Sequence, residues 1–141
     1  LARAPAAERG ALFRDACRWH HAAGALGDLL GWPLGALELG VLVRFLEDMY
    51  KMHQEQEPPL FLSPAIDLLI GLYLEYNQPL PAFAVHLEHF AWLRRARPRS
   101  ELALGHPALA ARGRLLAAHR AALPPALRAP LEAAAREGPE A

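Results

Sequence analysis

Apolar residues recur along this chain at intervals of three and four, and Gly- and Pro-containing points interrupt the pattern. Leu12, Ala16, Trp19, Ala23, Leu26 and Leu30 follow one another at 4, 3, 4, 3 and 4 residues. That spacing keeps side chains on one face of a helix. Arg14, Asp15, Arg18 and His21 fall elsewhere on the same wheel. The pattern predicts a first helix over residues 5–30 with this stripe as its buried face and Trp19 as a core or interface anchor on it. Gly24 and Gly27 weaken its last turns, by roughly 1 kcal/mol each against Ala. Gly31-Trp32-Pro33 closes it, because Gly suits a C-terminal cap and Pro cannot continue a helix.

A second helix is predicted over 34–54. Arg44, Glu47, Asp48 and Lys51 form its polar stripe, and Leu42, Phe45, Leu46, Met49 and Met52 cover the other side. The next segment begins with Ser63 as N-cap and Pro64 in the first helical position. Between Ile66 and Tyr76 only Asp67, Gly71 and Glu75 are not large and apolar, and they stand four apart. A strand would alternate every second residue. Four-residue spacing instead predicts a helix walled in on nearly all sides, with one narrow strip toward solvent. Residues 77–81 read as the turn out of it. A fourth helix is expected over 82–96, carrying Phe83, Leu87, Phe90 and Arg94. A fifth is expected over 107–123, with Leu109, Leu116 and Leu123 on one face. Residues 1–123 read as a single helical domain and 124–141 as a Pro/Ala-rich tail, disordered apart from one short helix over 130–137.

Composition strengthens the helical reading. The 141 residues include no Thr, two Ile and three Val. β-Branched side chains favour strands, and five of them cannot furnish a sheet of ordinary size. The fold class expected is all-α. It is either an irregular antiparallel bundle of about five helices or a short slice of an α-solenoid. No uncharged apolar run approaches the roughly 18 residues needed to span a bilayer; the run 68–74 has seven residues. Cys17 is the only cysteine, so no secretory disulfide framework exists and an intracellular location is expected. The chain opens on Leu1, which fits a fragment or a processed product of a longer protein.

Two short similarities bear on organisation. "ALEL" at residues 36–39 and "AIDL" at 65–68 open the second and third helices alike. The stretch "IDLLIGLYLEYNQPLPAFAVHLEHF", residues 66–90, resembles one helical hairpin of the tetratricopeptide/pentatricopeptide class. Leu69, Leu72 and Tyr73 would take the role of the first helix, and Ala82, Ala84 and Phe90 that of the second. Two prolines in the turn depart from that class, and no second copy at a 34-residue period is visible. The resemblance implies binding through a surface, not catalysis.

Candidate chemistry is sparse. His86 and His89 stand three apart in "HLEH", on adjoining turns. A metal site would need further ligands, and Cys17, His20, His21 and His53 show no telling spacing. The two histidines are therefore expected on a polar face or at an interface, and no cofactor is called for. Ser63 and Ser100, the only serines, sit at helix starts where capping explains them. Cys17 adjoins Arg18, which would favour a thiolate, but it also borders the apolar face and reads better as buried. Phosphate-loop spacing is absent from "GALGDLLG".

Charge is the remaining signal. Residues 1–92 hold six Lys/Arg against eleven Asp/Glu, a net −5, and residues 93–141 hold nine Arg against four Glu, a net +5. Arg94, Arg95, Arg97 and Arg99 concentrate the positive end. A non-enzymatic protein-interaction module within a larger protein or complex is the expectation. Trp32, Phe61 and Trp92 are its anchors, the four arginines face an acidic surface or helix, and residues 58–62 tuck under the bundle or dock on the partner. The alternative is an RNA- or DNA-binding domain in which the same arginines meet phosphates and Trp92 stacks on a base.

Overall fold

Helix α1 spans Ala6–Ala22 and stops short of the boundary expected from spacing alone. Gly24 takes a left-handed φ of 71°. Ala25 N–H then reaches the His20 carbonyl (2.8 Å) and Gly24 N–H the His21 carbonyl (3.0 Å), the paired bonds of a Schellman cap. Leu26–Gly31 form a separate 3-10 turn. In this computed structural model, residues 5–130 are described.

The buried face of α1 is also not the expected one. Gly10, Phe13 and Cys17 point inward, whereas Leu12 is 51% and Trp19 67% exposed. Residues 10, 13 and 17 form a second stripe of helical spacing, shorter than the 12-16-19-23 stripe but flatter. Gly10 lets Leu37 and Val41 of the next helix come within 4 Å of where a Cβ would stand.

Helix α2, Ala36–Glu55, buries Leu42, Leu46, Met49 and Tyr50. Helix α3, Pro64–Glu75, starts as predicted: the Ser63 hydroxyl accepts from Ala65 N–H (3.3 Å), with Pro64 at the first position. Ala65, Ile66, Leu69, Ile70 and Leu72 are buried, while Asp67 and Glu75 are exposed and Gly71 half-buried. The narrow strip is present. A second Schellman cap ends α3. Asn77 adopts φ 57°, Gln78 N–H bonds the Tyr73 carbonyl (2.7 Å), and Asn77 N–H bonds that of Leu74 (3.1 Å).

Helix α4 runs Pro79–Arg95, three residues earlier than predicted. Pro79 and Pro81 belong to its first turn rather than to the loop, because a helix start has no partner for its first N–H groups and loses nothing to Pro there. The short α5, Glu101–Leu104, and α6, Pro107–Ala121, follow, and residues 125–130 are helical. The helix expected over 130–137 lies, from residue 131 on, outside the described residues.

The helices pack in chain order: α1 on α2, α2 on α3, α3 on α4, and α4 on α5 and α6. The fold is an all-α helical bundle, with no strand among the described residues. Its main core joins Phe13, Cys17, Leu29, Leu42, Leu46, Ile66, Leu69, Leu72 and Phe83, with Leu116 closing from α6. A smaller core of Leu93, Ala103 and Leu109 sits at the other end, covered by Phe61, Leu62 and Trp92. Of the 58–62 link, Phe61 and Leu62 tuck against this core, while Pro58 and Leu60 stay exposed. No helix among the described residues is long and apolar enough to cross a membrane.

Candidate interaction surfaces

Helix α1 packs on α2 and on the 3-10 turn that follows it, and three of its faces do different things. Phe13 and Cys17 enter the core. Arg14, Arg18 and His21 line a groove against α2. Leu12 and Trp19 face solvent. Beside them Trp19 meets His20 edge-on at 5.0 Å, and His20 meets Trp32 edge-on at 5.1 Å. Trp32 is 43% exposed, and its segment is pinned from α3. Tyr76 Oη accepts from Leu34 N–H (3.1 Å) and donates to the Trp32 carbonyl (3.4 Å). One anchor expected from sequence, Trp32, is thus held at the surface, adjoining an exposed stripe that the spacing had assigned to the core.

The α1–α2 groove encloses ≈ 280 Å³ over a floor of Val41, Phe45, Met49 and Met52. Arg14, Arg18, His21 and Arg44 line its walls, with Asp48 the single carboxylate. Asp48 pairs with Arg44 (3.1 Å), and Arg18 pairs with Asp15 (3.6 Å). Both pairs are solvent-exposed. Arg14 makes no ion pair among the described residues.

Phe61 and Trp92 come together, with ring centroids 5.4 Å apart. They are half-buried lids of the smaller core rather than exposed anchors, because the 58–62 link folds back over α4. The four arginines are exposed, yet they do not act as one free cluster. Arg97 pairs with Glu101 (3.1 Å), and Arg99 pairs with Glu57 across the turn. Arg94 and Arg95 are left without an ion pair among the described residues.

The histidine pair lies inside. His86 and His89 are both buried, because α4 turns this face toward α6 and the smaller core. His86 packs edge-on against Phe90 at 5.6 Å. His89 joins three elements. Arg112 of α6 donates from Nη1 to His89 Nδ1 (2.7 Å) and from Nε to Asp67 Oδ1 of α3 (2.8 Å). Guanidinium nitrogens only donate, so Nδ1 is the bare nitrogen, and His89 Nε2–H donates to the Phe61 carbonyl (2.7 Å). Burial, and then the adjacent Arg112 charge, hold the imidazole neutral and lower its pKa to about 4; the Phe61 bond opposes this. Both ring nitrogens are engaged, so His89 is a structural tie. Among the described residues no three His, Cys, Asp or Glu side chains converge as a metal would require.

Cys17 is fully buried, and burial raises its pKa to about 11. Arg18 projects into solvent and does not offset this. The His53 pKa is lowered by burial and then by His21, and His53 Nδ1 shares a 2.6 Å hydrogen bond with the Ser63 hydroxyl. Ser100 donates to the Leu93 carbonyl. Each of these hydroxyl, thiol and imidazole groups has a structural task.

Sequence reasoning missed Arg112, which looks like its neighbour Arg114 in an Arg-rich helix, and gave Asp67 to solvent alone. It also missed the groove, whose residues were split between two helices treated separately. Neither a family model, nor a curated protein, nor a solved structure matches this chain.

Proposed function

We propose that the chain is a non-enzymatic helical interaction module, serving within a larger protein or a multi-subunit complex, and that its partner is a protein. The observation that carries this reading is the solvent-facing stripe of α1, where Leu12 and Trp19 stand exposed beside Trp32. Scattered exposed apolar residues are ordinary. A helix that turns Leu12 and Trp19 outward, next to a second Trp, is a surface of the kind partners cover, and Trp is among the residues enriched at binding hot spots. The tetratricopeptide-like resemblance of residues 66–90 points to the same kind of function.

The nucleic-acid alternative is less favoured. Two of its four arginines are engaged by Glu57 and Glu101, which leaves Arg94 and Arg95 as the cations for phosphate. If that alternative held, an RNA or DNA probe would bind at low salt, and an Arg94→Ala/Arg95→Ala variant would flatten the salt slope.

The test of the main reading is co-purification from cells with the wild-type chain and with a Leu12→Glu/Trp19→Glu variant. The expected result is a stoichiometric protein that rebinds as a purified component and is lost with the variant, whose melting temperature is unchanged. A partner kept by the variant, or no stoichiometric protein at all, overturns the reading.

A further inference from the structure

Building on the interaction reading, we infer that the α1–α2 groove binds an acidic amphipathic helix of about three turns. Val41, Phe45, Met49 and Met52 lie at intervals of 4, 4 and 3 along α2, so the floor runs about 17 Å at 1.5 Å per residue. That length matches a helix presenting anchors at i, i+4, i+7 and i+11. The walls name the charge of the occupant. Three arginines and one aspartate line the groove, and Arg14 has no ion pair among the described residues. The exposed Arg18–Asp15 and Arg44–Asp48 pairs are screened by solvent and contribute little. Carboxylates of a docked helix displace them at little cost, and their desolvation on docking strengthens the new pairs.

The shape decides among occupants. A bilayer is flat and does not enter a concave groove. A peptide binding by strand addition would need a free sheet edge for its backbone, and there is no strand among the described residues. The two floor methionines are flexible and polarizable, suited to adapting to the side chains of a partner.

These are also the only two methionines in the chain, which supplies the assay. The full chain carrying 13C-methyl Met gives two methyl signals. It is titrated with two designed 15-residue helical peptides with identical Leu/Phe anchors, one flanked by Glu and one by Lys, and separately with phosphatidylcholine/phosphatidylserine vesicles. The Glu peptide is expected to shift both signals, with at least tenfold tighter binding than the Lys peptide by fluorescence anisotropy. Arg14→Glu/Arg18→Glu, both exposed sites, should reverse that preference. Unmoved methyl signals with the Glu peptide, equal binding of both peptides, or a response to vesicles alone each overturn the assignment. If the protein partner lost from the Leu12→Glu/Trp19→Glu variant still binds when the Glu peptide does not, the groove assignment fails while the interaction reading stands.

Discussion

His89 offers the sharpest test of the packing described above. It is buried and neutral, with its two ring nitrogens committed to Phe61 and Arg112. The unfolded chain takes up this proton near pH 6.5, while the folded chain does so only near pH 4. Between those values the unfolded state holds a proton that the native state does not, so acid favours unfolding. The contribution is complete above pH 6.5 and is lost as pH falls toward 4. At about 1.4 kcal/mol per pH unit, it amounts to about 3 kcal/mol over the window. The groups facing His89 are Arg112, Asp67 and His86, and all three remain in any His89 variant. Comparison with His89→Gln therefore isolates the histidine. Urea unfolding from pH 7.5 to 4.5 should give a stability slope steeper in the wild type by about 1.4 kcal/mol per pH unit below pH 6.5. The absolute stability of the variant does not enter, since only the slopes are compared. An NMR titration of the wild-type ring supplies a second reading if the variant folds poorly. Equal slopes, or a His89 ring that titrates near 6.5, would refute the reasoning.

Further outcomes follow from the same geometry. Arg112→Met should cost about 2 kcal/mol, since it strands His89 Nδ1 without a donor, and should raise the His89 pKa by removing an adjacent cation; urea unfolding and NMR measure the two. Asp67→Asn should cost less, because Asp67 is 53% exposed whereas the Arg112 side chain is 4% exposed. Cys17 should resist a chromogenic disulfide reagent at pH 8 in the native protein and react fully in denaturant; rapid native labelling would contradict its burial. Ser63→Ala should lower stability by about 1 kcal/mol through loss of the α3 cap, and by more if the His53 bond contributes, measured by thermal unfolding. Tyr76→Phe should cost about 1 kcal/mol and loosen the Trp32 segment, seen as faster hydrogen exchange at Leu34 N–H.

What was legible in the sequence was local. The cap at Ser63, the thin polar strip of α3 and the absence of strands among the described residues all rest on interactions between residues a few positions apart. The turn at Asn77 was also placed, since Asn tolerates the left-handed conformation that closes α3. The face of α1 was not legible, because two stripes of helical spacing compete there. Which one is covered depends on the neighbours that exist, not on the helix itself. The Arg112 tie was hidden for a related reason. Asp67 and Arg112 are 45 residues apart, and nothing in an Arg-rich helix marks one arginine as the buried one. The prolines of α4 misled because Pro is ambiguous, fitting a loop and a first helical turn equally well.

The exposed stripe of α1 allows the structural and functional roles of its residues to be separated by stability. A side chain that serves the fold carries its cost in the isolated chain: Leu69 and Leu72, fully buried, should lose about 2–5 kcal/mol on truncation to Ala. Leu12 and Trp19 have no such stake. Half of Leu12 and most of Trp19 already face water, so polar replacements should leave unfolding within about 0.5 kcal/mol of the wild type. A chain that melts normally but no longer assembles would place the loss at the surface and not in the core. The reverse pattern, marked destabilisation by Trp19→Glu, would mean that the stripe is covered by this chain itself. The outward orientation of α1, and the interaction reading that depends on it, would then be wrong.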